Sequence, residues 1–330
     1  MHPESFSDSR KMKTQYTIFN KRQESCDKNR VEFVTVLFNN NSVNAFHSGC
    51  IGDIIYSIPT MKALGVTNLY VDDRPWTKPI VNRIDAFKRL IESQGIEVKK
   101  HEDENIDFDL STYRNGGMIY GDTIANRVAR WIGVKIDLSK PWMQIDEKNP
   151  ATKGKIVVSR GARWHGEFFP WNRLTSELGH KMVFVGLPEE HQDFCSLFGN
   201  IEYLPTNDLY DVATAIAGSD LFIGNQSSPN AIANGIHKES IVETCLYAFD
   251  CIYDRPNTTF CHDGILKVRF DEKTVISDNP SLKHGWKIDI FGRTLKAQDK
   301  HICIALARAD CFLRKIYYNV DQLTELAEKY

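Results

Sequence analysis

From Val31 onward the chain alternates short β-rich runs with stretches whose apolar residues recur at helical spacing, and it does so twice. In the first pass the strand candidates are 33–38, 43–47, 69–71, 96–99 and 108–110. Helical patterns at 53–64, 78–93 and 123–131 lie among them, and Ile80, Ile84, Phe87, Leu90 and Ile91 share one helical face. A charged stretch holding Pro141 and Pro150 breaks the rhythm over 137–155 and reads as a connection. The second pass predicts strands at 156–158, 182–185, 201–204, 221–223 and 241–246, with helices at 171–178, 188–198, 209–217 and 229–236. Strands alternating with helices require parallel sheets covered on both faces, because each crossover lays a helix on the sheet. The fold class is therefore α/β: two Rossmann-like domains facing across a cleft, with ligands expected at the carboxyl ends of strands. The expected organisation is a polar tail over 1–30 with a short edge strand at 15–19, an N-terminal domain over 31–145, and a C-terminal domain over 146–300. A helical segment over 301–330 closes the two, and 248–300 shows no regular pattern.

Composition removes several function classes. With 42% hydrophobic and 25% charged residues the chain is ordinary globular protein. A formal charge of -2 provides no overall field that would draw nucleic acid or an anionic membrane. No apolar run approaches the roughly 20 residues needed to span a bilayer, and the first residues lack the apolar core of a secretion signal. The eight cysteines include no CxxC pair, so reduced thiols in a cytoplasmic protein are the expectation. Periplasmic binding proteins share the alternation but are exported. Cys245, Cys251, Cys261 and His262 fit no zinc spacing, and no metal is expected.

Three loops carry chemistry. Leu221 to Ala233 runs from an apolar strand through Gly224-Asn225-Gln226-Ser227-Ser228 into Pro229 and an alanine-rich helix. Ser228 is predicted as the N-cap and Pro229 as the first helical residue, where proline's missing N–H costs nothing. Backbone amides, hydroxyls and the positive end of a helix dipole then meet at one spot, which is an anion site. A second loop, His47-Ser48-Gly49-Cys50-Ile51-Gly52-Asp53, leads from the first core strand into a helix. Read alone, Asp53 is either an N-cap or a general base at the cleft. No Gly-Lys-Ser/Thr follows, so this is not a Walker A loop. The third, Ser159 to Trp171, holds Arg160 and Arg163, which either clamp a diphosphate or remain solvated. Trp171, beside Pro170, reads as core.

The run Gly49 to Leu64 resembles the N-terminal motif of glycosyltransferase family 9, the heptosyltransferase-like group, in which a Gly-Asp pair is followed by apolar residues and a proline. Phe222 to Pro229 resembles that family's nucleotide-diphosphate motif, and Phe168-Phe169-Pro170-Trp171 and Phe184 to Glu189 stand in the expected order between them. The resemblance implies a GT-B glycosyltransferase that is inverting, independent of metal or other cofactor, and supplied with ADP-heptose or a related sugar nucleotide. It implies Asp53 as catalytic base, with Ser48, Gly49 and Gly52 forming the acceptor loop. Asn225, Gln226, Ser227, Ser228 and Arg160 or Arg163 would hold the diphosphate, and Glu243 would grip the ribose hydroxyls. Where the family shows an acidic residue and, a few positions on, a histidine, this chain has Gln226 and Ala231. A pentose, hexose or heptose donor fits these departures. The acceptor is a glycan or, because the motifs are similar to those of virus-encoded relatives, a modified nucleobase such as that of hydroxymethylated DNA. An epimerase of the same architecture and an inactive nucleotide-sugar binding protein are the competing readings.

Overall fold

The computed structural model describes residues 42–72, 83–116, 123–166, 169–253, 255, 257–261, 267–271, 285–290 and 293–295. The chain forms two compact units, Met1–Asn41 and Ser42–Tyr330, and the described residues all belong to the second. The expected strands at 15–19 and 33–38 and the closing segment at 301–330 lie outside the described residues.

The first alternation gives β1 (Asn44–His47), α1 (Ile51–Leu64), β2 (Asn68–Val71), α2 (Arg83–Glu92), β3 (Glu97–Lys100), β4 (Phe108–Asp109) and α3 (Ile124–Ile132). Its strands form a parallel sheet in the order β3-β2-β1-β4. The second gives β5 (Ile156–Ser159), α4 (Trp171–Leu178), β6 (Met182–Phe184), α5 (Pro188–Phe198), β7 (Glu202–Tyr203), α6 (Leu209–Gly218), β8 (Leu221–Asn225), α7 (Ser228–Gly235), β9 (Ser240–Glu243) and β10 (Thr258–Cys261). These six strands are again parallel, ordered β10-β9-β8-β5-β6-β7. The irregular stretch thus contributes a sixth strand, β10, and an antiparallel meander of β11 (Lys267–Asp271), β12 (Gly285–Ile290) and β13 (Arg293–Leu295). No described helix is long and apolar enough to cross a membrane.

Both parallel sheets reverse direction of winding at their first strand, between β1 and β4 in one and between β5 and β8 in the other. Such a switch point opens a crevice, because the two adjoining loops leave on opposite faces of the sheet. The order of the strands therefore selects which loops matter.

The apolar pattern explains the packing. β5 and β8 are buried at every residue, as strands covered on both faces must be. α1 is buried from Asp53 to Met61 without a break. A helix apolar around its whole circumference has to be enclosed, and α1 is enclosed by α3 and by α7 of the second half. One core runs through this contact, joining Ile54, Leu69 and Val98 to Phe222 and Ile232. Tyr56 of α1 accepts a hydrogen bond from Asn234 of α7 (3.1 Å) and stacks on Tyr253. The connecting segment lies along the same surface: the Trp142 and Met143 amides both donate to the Gly235 carbonyl, and a Cβ on Gly235 would lie 2.5 Å from the Met143 sulfur.

Two helix starts differ from expectation, the first by two residues and the second by one. Cys50 is the N-cap of α1, which makes Asp53 its third residue. Ser227 is the N-cap of α7, so Ser228 is the first helical residue and Pro229 the second. β8 continues through Asn225 because Gly224 and Asn225 still pair with Val242 and Glu243.

Candidate active site

At the end of β1, His47 is fully buried and its Nδ1 accepts the Gly49 N–H (2.8 Å). A Cβ on Gly49 would fall 2.4 Å from His47 Cε1 and 2.9 Å from Asp53 Oδ2, so this position has room only for glycine. The imidazole and the carboxylate are thus packed around the same point. Asp53 Oδ2 accepts the Cys50 N–H (3.2 Å) and pairs with the Arg114 guanidinium. Asp53 is buried, whereas Arg114 is half exposed.

Arg114 comes from the 3-10 turn after β4, Leu110–Gly116, the partner loop at the first switch point. Its guanidinium sits 5.0 Å above the Tyr113 ring, and Arg127 of α3 sits 5.1 Å from the same ring. Arg127, itself buried, binds Asp250 Oδ2 at 3.1 Å. Asp250 lies in the 3-10 turn Leu246–Cys251 after β9, so this pair ties the two halves together. Burial pushes the Asp250 carboxyl above the usual range; Arg127 opposes that and the Asp53 charge adds to it. Burial, and then Asp53, likewise push the Tyr113 phenol upward. The Tyr113 hydroxyl is buried with no hydrogen-bond partner among the described residues.

The second switch point brings the other two loops together. Asn225 is fully buried and works as a clamp: Oδ1 accepts the Gly161 N–H (3.1 Å), and Nδ2 donates to the Gly161 and Arg163 carbonyls. Gln226 ties the loop to the next strand end, donating to Ala248 O (2.8 Å) and accepting the Cys245 N–H (2.7 Å). Glu243 is fully buried and its carboxylate takes Arg160 Nε (2.9 Å), Arg160 Nη2 (3.2 Å), the Gly166 N–H (2.9 Å) and Trp171 Nε1 (3.1 Å). Trp171 is core. The side chains of Asn225, Gln226, Glu243 and Arg160 are therefore occupied with holding loops, which leaves Arg163, exposed beside Trp164, as the cation of this loop with no acidic partner among the described residues.

What remains open is at the head of α7. Ser227 makes no capping bond with its side chain. Its Oγ, and both amide atoms of the fully buried Asn230, have no partner among the described residues. The first N–H groups of any helix also lack intrahelical acceptors. The three loops converge here: a Cβ on Gly161 would touch Ser227 Cβ at 3.3 Å, and one on Gly52 would meet Ser228 Oγ at 3.9 Å. Asp53 thus comes directly after the residue that faces Ser228. Ser48, Gly49 and Gly52 are all partly buried along this junction. Among the described residues no three His, Cys, Asp or Glu side chains gather as metal ligands.

His47, Tyr113, Arg114, Arg127, Asn230 and Asp250 join the site without having been singled out in the sequence. His47 and Asn230 stand inside the motifs and could have been found there. The others needed the strand order, which makes the loop after β4 a neighbour of the loop after β1.

No protein-family model matches the chain, and no curated protein matches it. Among solved structures, the chain is similar to the E. coli heptosyltransferase WaaC with ADP-2-deoxy-2-fluoro heptose, at 12% identity over 67% of this chain and 93% of that one, with a TM-score of 0.46. It is similar to a glycosyl transferase family 9 protein from Veillonella parvula at 13% identity, covering 68% and 86% of the two chains, TM-score 0.43. It is also similar to TibC, an iron-containing dodecameric glycosyltransferase from enterotoxigenic E. coli, at 9% identity over 68% and 63%, TM-score 0.44.

Proposed function

We propose that the chain is a GT-B glycosyltransferase that moves a sugar from a nucleoside-diphosphate sugar to an acceptor hydroxyl. The observation that carries this reading is the head of α7, where Ser227 Oγ and the Asn230 amide are buried with no partner among the described residues, beside a helix N-terminus. A buried polar group without a partner costs about 1–3 kcal/mol, which a bound ligand recovers. Phosphate oxygens supply acceptors for the Ser227 hydroxyl, the Asn230 amide hydrogens and the helix N–H groups, and the helix dipole favours their charge.

Asp53 stands across the loop junction from that anion site and is the proposed base. It removes the proton of the acceptor hydroxyl as the hydroxyl oxygen attacks the anomeric carbon opposite the departing diphosphate, so a single displacement inverts the configuration. Arg114, which pairs with the Asp53 carboxylate and is half exposed, must first give it up. Charge on the leaving diphosphate is met by α7 and Arg163, a role that a divalent cation fills elsewhere. Asn225, Gln226, Glu243 and Arg160 act by positioning these loops. The donor is ADP-heptose or a related pentose or hexose nucleotide, the acceptor is a glycan or a modified nucleobase, and the setting is the cytoplasm.

The test is product analysis with a panel of nucleoside-diphosphate sugars and both acceptor classes, using the wild type and Asp53→Asn. Transfer with inversion by the wild type is expected, together with loss of turnover but retained nucleotide binding in the variant. Full turnover by Asp53→Asn removes the base assignment. Isomerisation without acceptor, or binding without turnover, replaces the transferase by an epimerase or a binding protein.

A further inference from the structure

Two of the large apolar side chains that the structure leaves exposed, Trp164 (38%) and Leu187 (53%), lie on neighbouring strand-end loops of the second sheet. Single exposed apolar residues are common and need no explanation. Trp164 differs because its backbone is in the left-handed region, φ 63, a conformation that costs free energy for a bulky residue. The surrounding bonds hold it there. Asn225 grips the Gly161 and Arg163 carbonyls on one side of Trp164, and Glu243 grips the Gly166 N–H on the other. His165 Nε2 closes the turn onto the Gly161 carbonyl at 2.7 Å. Two fully buried side chains, Asn225 and Glu243, are thus committed to a loop whose product is an indole presented to solvent.

Its position relative to the anion site is fixed by the same contacts. Gly161, three residues before Trp164, packs on Ser227, and the Arg163 guanidinium lies 5.7 Å from the indole centroid. Leu187 adjoins on the loop after β6, where its N–H binds Glu190 Oε2 (3.1 Å), and Glu190 Oε1 lies 3.5 Å from the Gly161 Cβ position. An aromatic plane, an aliphatic side chain and a cation with no acidic partner among the described residues are therefore carried on the loops that adjoin Gly161, which packs on the head of α7.

We propose that Trp164 is the stacking surface for the nucleobase of the donor, with Leu187 at its edge and Arg163 turned to the phosphates. This rests on the anion-site reading above and adds to it the residue that recognises the base. Every base offers a π-face, so the contact confers affinity for a nucleotide over a bare diphosphate and little choice among bases.

The experiment is calorimetric titration of the full chain with ADP, UDP, GDP and inorganic pyrophosphate, comparing wild type, Trp164→Ala and Trp164→Phe. Trp164→Ala is expected to weaken nucleoside diphosphate binding about 5- to 150-fold, the range typical of base-on-aromatic stacking. Trp164→Phe should retain most of the affinity, and pyrophosphate should bind all three proteins alike. Because the chain has other tryptophans, quenching of fluorescence by a nucleoside diphosphate in the wild type but not in Trp164→Phe gives a second measure. Unchanged nucleotide affinity in Trp164→Ala overturns the proposal while the anion site stands. An equal loss for pyrophosphate also overturns it, since Trp164 then only shapes the loop. If the wild type binds neither pyrophosphate nor any nucleotide, the anion site falls and this inference with it.

Discussion

Removing the Glu243 carboxylate separates a residue that builds the site from one that touches the ligand. Glu243 is fully buried and takes five hydrogen bonds from three groups: the Arg160 guanidinium, the Gly166 amide and the Trp171 indole. Arg160 is only 11% exposed, so Glu243→Ala leaves a guanidinium with no anion and little water, along with two orphaned N–H groups. Breaking a buried ion pair costs about 3–5 kcal/mol. The two N–H groups add to this less than their separate values, because Arg160 and the loop share one arrangement and its costs are not additive. The expected loss is therefore about 3–5 kcal/mol in the ligand-free protein, which lowers the thermal midpoint by roughly 6 °C or more. Glu243→Gln keeps the shape and one acceptor and should lose less, with the same sign. The combined change Glu243→Leu with Arg160→Met removes both charges and should recover much of the loss, since paired apolar replacements remove the desolvation penalty. Thermal and urea unfolding of each variant without ligand measures these values. The reasoning is refuted if ligand-free Glu243→Ala is as stable as the wild type while its nucleotide affinity falls, because the carboxylate would then be gripping ribose.

The same geometry sets further expected outcomes. Gly49→Ala places a methyl group 2.4 Å from His47 and 2.9 Å from the Asp53 carboxylate, so turnover should drop at least about tenfold, the cost of displacing a reacting group by a fraction of an ångström, while nucleotide binding is kept. Unaltered kcat in that variant would show that Asp53 need not be held there. Ser227→Ala removes a buried hydroxyl that has no partner among the described residues, so ligand-free stability should hold or rise by about 1 kcal/mol while diphosphate affinity falls by about 1.5–3 kcal/mol. A matching fall in stability, read by thermal melting, would mean that the hydroxyl already has a partner. Asp250 binds its proton more tightly folded than unfolded, so its contribution to stability declines as pH rises from the ordinary carboxylate value through its raised one. Asp250→Asn should flatten that limb of the stability–pH curve, and an unchanged limb would assign it to another group.

Much of the fold is legible in the chain. Trp171–Leu178 and Pro188–Phe198 have the predicted bounds, because Pro170 and Pro188 punctuate their starts and Gly179 and Gly199 their ends. β3 is shifted by one residue from its predicted 96–99, and β9 starts one residue before and ends three before its predicted 241–246, since the apolar pattern marks burial and the ladder decides pairing. The meander at β11 to β13 was legible in part: Val268 and Phe270, and Trp286, Ile288 and Ile290, alternate with polar residues as half-buried strands do, but their pairing is antiparallel and outside the βα rhythm that organises the rest of the chain.

The site divides in the same way. Sequence by itself determined the alternation, hence the parallel sheets, and it placed Asp53, Arg163, Ser227 and Ser228 at the turns from strand to helix, because glycine, proline and serine act locally. Only the tertiary structure decided what surrounds those residues. The strand order set Arg114 against Asp53 across sixty-one positions of sequence and brought Asp250 to Arg127. Burial then turned Glu243, Asn225 and Gln226 inward, since a charged or amide side chain enclosed in protein must spend its hydrogen bonds on whatever surrounds it.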